Sequence, residues 1–413
     1  MRSQTDPGQT APRHHRNTAS LIQTSAGHFA AAHLNGLMSL YVEPIGGRLV
    51  ELPSPDGASQ PIADFVRCSY LGLDNHPAIV TGGMALMLRY GCLHWSCART
   101  RLNFMALGEL EDALSELFDA RVTTFSTVLA ANMSALPLIA SGALTEGVKP
   151  VMVFDRLAHA TLAFNKPVVA EETDVRTIAH NDLAALEEIC ETHPCVAYIC
   201  DGVYSMGGSA PVQKLLELQR RFGLFLYIDD AHGISIVGDR GEGFTRSQIR
   251  GSLGDRTIIA ASLGKGFGAS GGMLMLGSPT QEELFRRFGL AHAFSASINV
   301  AAIGAALASQ ALHRTDELGA RQARLAQNVA LFDELVPTAQ AGSPLPIRTV
   351  VIGDELAAIG AARLVLDAGS YVSAIFFPTV ASGRAGLRIC PTADHTFDQI
   401  RALAAAINGA LER

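Results

Sequence analysis

Two segments of the sequence carry side chains whose types and spacing could act on a carbonyl cofactor. In YIDDAHGISIVGDRGEG at 227–243, Asp229 ends an apolar run and His232 comes just before a glycine-rich turn. In ASLGKGFGASGG at 261–272, Lys265 is the one charged residue among glycines and small residues. A lysine can form a Schiff base with a pyridoxal aldehyde, and an acid beneath the pyridine nitrogen keeps that ring an electron acceptor. The two segments together predict pyridoxal chemistry at Lys265 and Asp229.

Each segment by itself has a plainer interpretation. Asp229 would cap the turn that follows it, and Lys265 would lie exposed in a flexible loop, as most lysines do. A phosphate-binding GxxxxGK[ST] loop is excluded, because position 259 is isoleucine and Gly266 follows the lysine. The pyridoxal interpretation therefore depends on both segments and on the strand between them.

The elements that must position these residues alternate along the chain. Short β-branched runs lie between helical stretches, which is the pattern of an α/β fold with a mainly parallel central sheet and helices on both faces. Three predicted strands end in Asp155, Asp201 and Asp229, and ligands of open α/β sheets bind beyond the carboxyl ends of the strands. The predicted strands are 151–155, 196–201, 224–229, 256–262 and 272–277, and the predicted helices are 107–118, 130–139, 182–191, 212–222 and 281–288.

The length of 413 residues allows more than one compact unit. We predict an N-terminal tail and arm at 1–60, a large domain at 61–297 and a smaller C-terminal α+β domain at 298–413. The small domain would begin with an alanine-rich helical region at 300–335 and end with a helix at 396–411. The first twenty residues are polar and have no apolar core, which argues against a signal peptide and favours a frayed tail.

Composition narrows the classes of partner. The net charge of −7 provides no broad basic field for a phosphate backbone, so we expect small molecules and no nucleic acid. The longest apolar stretches contain polar residues and are too short to span a membrane. The seven cysteines show no CxxC pairing, so we expect free thiols in the cytoplasm and predict no metal site.

Four segments, in this order and spacing, resemble the motifs of a known family, the α-oxoamine synthases. They are FDRLAHATL at 154–162, DGVYSMGGSAP at 201–211, DDAHGISIVGDRGEG at 229–243 and SLGKGFGASGG at 262–272. The resemblance extends over roughly residues 65 to 400. It implies a fold-type I transferase fold, pyridoxal 5′-phosphate (PLP) as the cofactor, and a homodimer whose subunits share each active site.

The resemblance also implies catalytic roles for the matching residues. Lys265 would hold PLP as a Schiff base, Asp229 would pair with the pyridine nitrogen, and His232 would lie at the phenolic oxygen. His159 would stack on the ring, although a histidine in the core is the plainer interpretation. Arg388 in GLRICPTADH would grip the amino-acid carboxylate, which suits a planar guanidinium better than an ammonium group. A surface ion pair is its plainer interpretation.

Further binding positions come from the same resemblance. One group would contact the phenolic oxygen or the phosphate of PLP within the subunit, and a serine of FSAS at 294–297 would reach the phosphate of the other subunit. The first group is Ser205, Ser262 and the backbone amides near Val128 and Leu129, and the second is Ser295 or Ser297.

The departures from the family pattern lie where substrates would bind. The usual NDYLG reads CSYLG here, so Cys68 and Ser69 replace Asn and Asp. The usual GxGxxGSR loop becomes YGCLHWSCARTRLNF at 90–104 and contains the single tryptophan, Trp95. An aromatic ring at that place could stack on a planar substrate, or it could be buried between subunits. We therefore expect PLP chemistry on an atypical pair of substrates.

The expected reaction is C–C bond formation between an amino-acid carbanion and an acyl thioester, typically acyl-CoA, followed by decarboxylation, in specialised metabolism. One alternative keeps PLP but adds an amino acid such as S-adenosylmethionine to a non-thioester acceptor, for example a nicotinamide-type ring. A plain aminotransferase is a further alternative. A non-catalytic binding protein is disfavoured, because it would have no need of Lys265, Asp229 and His232 together.

Overall fold

The structure, a computed structural model, describes residues 18–53, 59–91 and 96–412, so Trp95 lies outside the described residues. The helices within them are α1 Thr18–Leu34, α2 Pro77–Tyr90, α3 Met105–Phe118, α4 Val128–Ala140, α5 Ala160–Ala163, α6 Lys166–Ala170, α7 Leu183–Thr192, α8 Val212–Phe222, α9 Pro279–Phe288, α10 Leu290–Phe294, α11 Val300–Leu312, α12 Asp316–Leu335, α13 Glu355–Asp367 and α14 Phe397–Leu411. None of them combines the length and apolar character needed to cross a membrane.

The strands form three sheets. Their bounds are β1 Glu43–Gly46, β2 Leu49–Pro53, β3 Ser59–Asp64, β4 Arg121–Phe125, β5 Val151–Asp155, β6 Val175–Ile178, β7 Val196–Asp201, β8 Phe225–Asp229, β9 Thr257–Ser262, β10 Gly272–Leu276, β11 Arg348–Gly353, β12 Ser370–Tyr371, β13 Ser373–Ile375 and β14 Ala385–Ile389.

The central sheet has the order β4-β10-β9-β8-β7-β5-β6. Strands β9, β8, β7, β5 and β6 are parallel, while β10 runs antiparallel to both of its neighbours. Its inner strands are buried along their whole length, as the continuous apolar runs at 196–201 and 225–229 require when helices cover both faces. The predicted α/β class is confirmed, with a smaller C-terminal sheet in the order β11-β14-β13.

The N-terminal elements pack with the C-terminal ones. Strand β12 pairs parallel to β3, which places residues near 63 and 370 in one four-stranded sheet. One apolar cluster joins Leu37 after α1, Phe65 after β3, and Phe332, Val365 and Ile407 of the C-terminal helices. Helix α11 packs instead with α2 and α3 in a cluster that includes strand β10. The division into residues 1–60, 61–297 and 298–413 stays a prediction.

Several elements differ from the expectation. The helical region predicted at 300–335 is two helices, because α11 ends at Leu312 and Thr315 caps α12. Helix α1 begins at Thr18, inside the segment expected to be a frayed tail. Strands β4 and β6 were not predicted. Both are edge strands, where alternating or polar residues leave little of the apolar signal that marked the inner strands.

Helices α2 and α11 approach so closely that glycine is required at the contact. A Cβ placed on Gly304 would lie 2.1 Å from the Gly82 carbonyl oxygen, and one on Gly82 would lie 2.6 Å from the Gly304 carbonyl oxygen. Backbone atoms cannot yield as the end of a flexible side chain can. The small residues in the sequences of these helices therefore set the distance between the two helix axes.

We predict that Gly304→Ala lowers the free energy of unfolding by about 1–3 kcal/mol, the usual cost of overpacking a core. Gly319→Ala is the matched control, because Gly319 is an exposed helical residue with open space around its Cβ position. That control should raise stability by about 0.5–1 kcal/mol. Urea unfolding measures both. Equal effects of the two substitutions would contradict the close approach.

Candidate active site

The carboxyl ends of three parallel strands bring polar side chains to one edge of the central sheet. Asp201 at the end of β7 is paired in register with Asp229 at the end of β8, and Asp229 is paired with Ala260 of β9. Ser262 ends β9 and its Oγ accepts a hydrogen bond from the Gly264 amide at 3.2 Å. The loop that follows contains Lys265. The strand ends predicted as site positions therefore meet the predicted lysine loop.

Asp229 is a buried carboxylate, 4% exposed, with few polar partners. Its Oδ1 accepts from the Ala231 amide at 3.1 Å and its Oδ2 accepts from Asn132 Nδ2 at 3.3 Å. Asn132 lies on helix α4, and its Oδ1 accepts from the Tyr227 hydroxyl at 2.6 Å. A buried carboxylate with so few donors is costly unless a positive charge lies close to it. The geometry favours a cationic partner for Asp229.

Lys265 ends a chain of polar groups that starts in the core. Its Nζ lies 3.0 Å from His232 Nε2, and His232 Nδ1 lies 2.7 Å from the Tyr70 hydroxyl. Burial lowers the pKa of Lys265, an effect that the Asp229 charge opposes. Burial, reinforced by the charge of Lys265, holds the pKa of His232 well below its usual range. A neutral imidazole donates at one nitrogen and accepts at the other, so the three groups form one directed chain for a proton.

His159 faces the same space from the end of β5. Its backbone amide donates to Asp201 Oδ1 at 3.1 Å, and its Nδ1 lies 2.9 Å from the Thr161 hydroxyl. Burial lowers the pKa of His159, while the Asp229 charge acts in the opposite direction. The ring is therefore held neutral with its orientation set by Thr161.

These side chains line one cavity. The groups around it fit PLP. Among the described residues no cation is bonded to Asp229, and Lys265 is an amine with a lowered pKa. The N-terminus of α4 at Val128 presents backbone amides that could bind a phosphate. A Cβ on Gly272 would lie 2.4 Å from the Val128 amide nitrogen, so only glycine leaves this helix start in place. The lining residues are Val128, His159, Thr161, Asp201, Val203, Asp229, Ala231, His232 and Lys265.

Arg388 enters the same region from the C-terminal sheet. It lies on β14, is 8% exposed, and its Nε donates to the Ser205 carbonyl oxygen at 2.5 Å. Its Nη2 donates to Cys68 Sγ at 3.6 Å. The charge of Arg388 lowers the pKa of both Lys265 and His232 as a secondary effect behind burial. The guanidinium thus lies close enough to act electrostatically on Lys265 and His232, and its role in carboxylate binding stays a prediction.

Comparison with known proteins agrees with this arrangement. Residues 105–407 match the family of class I and II aminotransferases. The chain is 33% identical to the 8-amino-7-oxononanoate synthase of Aromatoleum aromaticum, over 83% of this chain and 88% of that protein, and 30% identical to that of Salmonella typhimurium, over 84% and 89%. The structure of a Sphingomonas wittichii serine palmitoyltransferase matches with a TM-score of 0.81 at 20% identity, over 96% of this chain and 98% of that one. The chain belongs to the α-oxoamine synthases.

As a member of this family, the chain is a fold-type I enzyme whose cofactor is PLP. When bound, PLP supplies an electron sink for negative charge that develops on an amino-acid carbon. The predicted cofactor and the predicted enzyme class are both confirmed.

The remaining predicted residues of this α-oxoamine synthase lie at different distances from the cavity. The Ser205 carbonyl contacts Arg388, and Leu129 follows Val128 in the first turn of α4. Ser69 is not part of the cavity lining, because its hydroxyl donates to Asp74 Oδ1 at 2.6 Å. Ser295 and Ser297 follow α10 and are likewise outside the lining of this subunit's cavity. The Ser297 Oγ donates to the carbonyl oxygen of the next residue, Ile298, at 3.1 Å.

Four polar residues of the site were not predicted from the sequence, and Thr161 beside His159 is one of them. Asn132 donates a hydrogen bond to Asp229, and Tyr227 donates one to Asn132. Tyr70 is hydrogen-bonded to His232. The only signal for Tyr70 was its place in CSYLG, two residues after Cys68. Asn132 is the one polar amide in the apolar helix VLAANMSALPLIA, and a buried amide in such a helix needs a partner.

The sequence alone favours a solvated turn carboxylate at Asp230, which follows Asp229 at the end of a strand, and this interpretation is wrong. It is 1% exposed, and its Oδ2 accepts from the Thr245 amide at 2.8 Å. Burial raises the pKa of Asp230 to about 8. Gly202, Gly233 and Gly243 lie against its carboxyl group, where a Cβ would approach to within 2.7 Å or less. The acid and the glycines around it therefore fix the loop that carries Asp229 and His232.

We predict that Asn132→Leu destabilises the enzyme by about 1–3 kcal/mol, because it leaves the buried Tyr227 hydroxyl without an acceptor. Tyr227→Phe in the same chain should recover part of that loss, since the unpaired hydroxyl is then absent. Urea unfolding of the two single variants and the double variant measures the coupling. Strictly additive effects would contradict the arrangement.

Proposed function

We propose that this enzyme joins the α-carbon of an amino acid to the acyl carbon of an acyl thioester such as acyl-CoA, with release of the free thiol and loss of the amino-acid carboxylate as CO₂. The observation that carries the proposal is the meeting of Asp229, His232 and Lys265 around one cavity in a chain that is at least 30% identical to named 8-amino-7-oxononanoate synthases. The atypical CSYLG segment supports a pair of substrates different from theirs.

We assign the cofactor end of the site to five side chains. Lys265 would bind PLP covalently, Asp229 would keep the ring nitrogen protonated, and His159 would cover the ring. His232 would lie at the phenolic oxygen, and Ser262 would join the α4 amides of Val128 and Leu129 at the phosphate. The exposed start of α4 and its capping residue Thr127 support the phosphate position.

The proton steps follow from the environment of Lys265. Its lowered pKa favours a neutral amine that can accept the α-proton of the amino acid at Nζ. His232 and Tyr70 continue from Nζ as hydrogen-bond partners and hold the amine in place between proton transfers. Val128, Val203 and Ala231 form the apolar part of the cavity lining around these groups.

The substrate end of the site combines one charge with apolar walls. A second cavity, of about 390 Å³, has Arg388 as the one charged residue in its lining, and Ala32, Leu37, Met206 and Phe376 are among its apolar residues. We propose that Arg388 binds the amino-acid carboxylate and that this cavity receives an apolar acyl group. Cys68 contacts Arg388 and would therefore border the same substrate.

We further propose that the enzyme acts as a homodimer in the cytoplasm. Four apolar side chains on one face of α2 are exposed, namely Val80, Met84, Met87 and Leu88, and such a face needs a partner. A second copy of this chain is the partner that would also place Ser295 or Ser297 at the neighbouring PLP phosphate. The six cysteines in the described residues are free thiols, which supports a reducing compartment.

The reaction is tested by the release of free CoA, measured with a thiol reagent over a panel of amino acids and acyl-CoA chain lengths. We predict release that depends on both substrates and is lost in Lys265→Ala. Lys265→Arg is the matched control, since it keeps a positive charge but cannot bind PLP covalently, and it should also be inactive. If amino acids change the visible spectrum of the enzyme but no pair releases thiol, a non-thioester acceptor takes the place of acyl-CoA.

The dimer is tested by Leu88→Glu, a substitution of a side chain that is 88% exposed in the single subunit. We predict that light scattering after size exclusion gives half the mass of the unmodified enzyme, because a charge in an apolar interface is not compensated. Leu356→Glu is the control, at an exposed leucine of α13. It should remain dimeric. A monomeric unmodified enzyme would contradict the proposal.

A further inference from the structure

Arg388 has two partners before any substrate binds. Its Nε donates to the Ser205 carbonyl oxygen at 2.5 Å, and its Nη2 donates to Cys68 Sγ at 3.6 Å. The side chain is 8% exposed, so these contacts replace much of the hydration of the guanidinium. An anion that enters this region therefore meets a cation whose donors are already engaged.

Four ionisable groups face the Cys68 thiol. Arg388 lies on β14 of the C-terminal sheet, and Cys390 directly follows that strand. Tyr70 comes from the same segment as Cys68, and Lys265 lies across the cavity. Hydrogen bonding from Cys390, followed by the charge and hydrogen bond of Arg388, lowers the pKa of Cys68 although burial opposes this shift. The hydrogen bond with Cys68, followed by burial, raises the pKa of Cys390, so ionisation of Cys68 is favoured over that of Cys390.

A thiolate at this place has a consequence for substrate binding. A carboxylate on Arg388 would bring a second negative charge next to Cys68, and two like charges so close in a low-dielectric region repel strongly. The repulsion is removed when the thiolate takes a proton from solvent and becomes a neutral thiol. Binding of the carboxylate and protonation of the sulfur are then coupled, and each favours the other by the same factor.

We propose that Cys68 is the resident counter-ion of Arg388 and a specificity-determining residue: a substrate carboxylate binds Arg388 as Cys68 takes up a proton. This inference rests on the proposed function in one respect, the assignment of Arg388 as the carboxylate site. Asparagine, the usual family residue here, is neutral and carries no such cost. The Cys68 side chain therefore makes carboxylate affinity depend on pH. It lowers the affinity most for substrates that are bound through their carboxylate alone.

The first experiment measures ionisation of Cys68 without any reaction. The PLP-loaded enzyme is alkylated with iodoacetamide at a series of pH values in the presence of a non-thiol reductant, and the modified peptides are followed by mass spectrometry. Only thiolates react at a useful rate, so the midpoint of the rate profile is the thiol pKa. Cys68 should show a midpoint well below that of an ordinary thiol, about 8.5. Cys97, an exposed thiol, is followed in the same samples as the comparison.

Propionate serves as the probe for the carboxylate, because it has no amine and cannot react with PLP. Saturating propionate should slow alkylation of Cys68 and move its midpoint upward, with no effect on Cys97. By linkage, propionate affinity should fall as pH rises between the free and bound midpoints, about tenfold for each unit that separates them. Calorimetry in two buffers of different ionisation enthalpy should show proton uptake on binding in that range.

Two variants separate the charge of Cys68 from its size. Cys68→Ser keeps the volume but not the charge, and Cys68→Asn introduces the usual family residue. Both should bind propionate more tightly than the unmodified enzyme above the free midpoint, with no proton uptake and a flat pH dependence, while Cys97→Ser should behave as the unmodified enzyme does. A merely structural role of Cys68 would change affinity at all pH values alike.

Several results would overturn the inference. They are an ordinary alkylation midpoint for Cys68, a midpoint that propionate does not move, and a propionate affinity that still depends on pH in Cys68→Ser. The absence of propionate binding to both the unmodified enzyme and Cys68→Ser would also overturn it. None of these measurements uses an acyl donor. Failure of the thioester reaction, which is read from CoA release, is therefore distinguishable from failure of this inference.

Discussion

The buried carboxylate of Asp229 is the group on which the arrangement of the site depends. It is paired in register with Asp201 on the next strand, so two acids share one buried sheet edge. Burial, with the Asp229 charge as the second cause, raises the pKa of Asp201 well above its usual range. Both causes favour the protonated form of Asp201. In the proposed assignment, a protonated ring nitrogen would be the cationic partner of Asp229, whose hydrogen bonds come from Asn132 and the Ala231 amide.

The parallel sheet explains why much of this site could be predicted from the sequence. Strands such as β7 and β8 are continuous apolar runs that stop at an aspartate, so the sequence locally marks both the strand and the polar residue at its carboxyl end. The glycine-rich loop around Lys265 leaves another. The register that places Asp201 beside Asp229 then follows from the strand order, which alternating strands and helices largely determine.

Residues that act across elements could not be predicted in the same way. Asn132 and Asp229 are 97 positions apart, and nothing local in either segment shows that a helix amide supports a strand-end acid. Asp230 looks like a turn residue because Gly202, which lies against its carboxyl group, comes from another segment, and Gly243 reaches it only through the fold of the loop. The sheet formed by β1, β2, β3 and β12 was missed for a related reason, since β12 has only two residues and is stabilised by its pairing with β3.

The substrate end and the cofactor end are joined by one segment, residues 65–72. Its backbone binds the C-terminal sheet region twice, through the Cys390 amide to the Phe65 carbonyl at 2.8 Å and the Ala393 amide to the Tyr70 carbonyl at 2.7 Å. The segment thereby brings Tyr70 to His232 and Cys68 to Arg388. A change at Tyr70 would alter the chain that ends at Lys265. In the proposed assignment, a change at Cys68 would act on Arg388 and leave the two hydrogen bonds of that chain in place, so substrate preference would change without loss of the PLP chemistry.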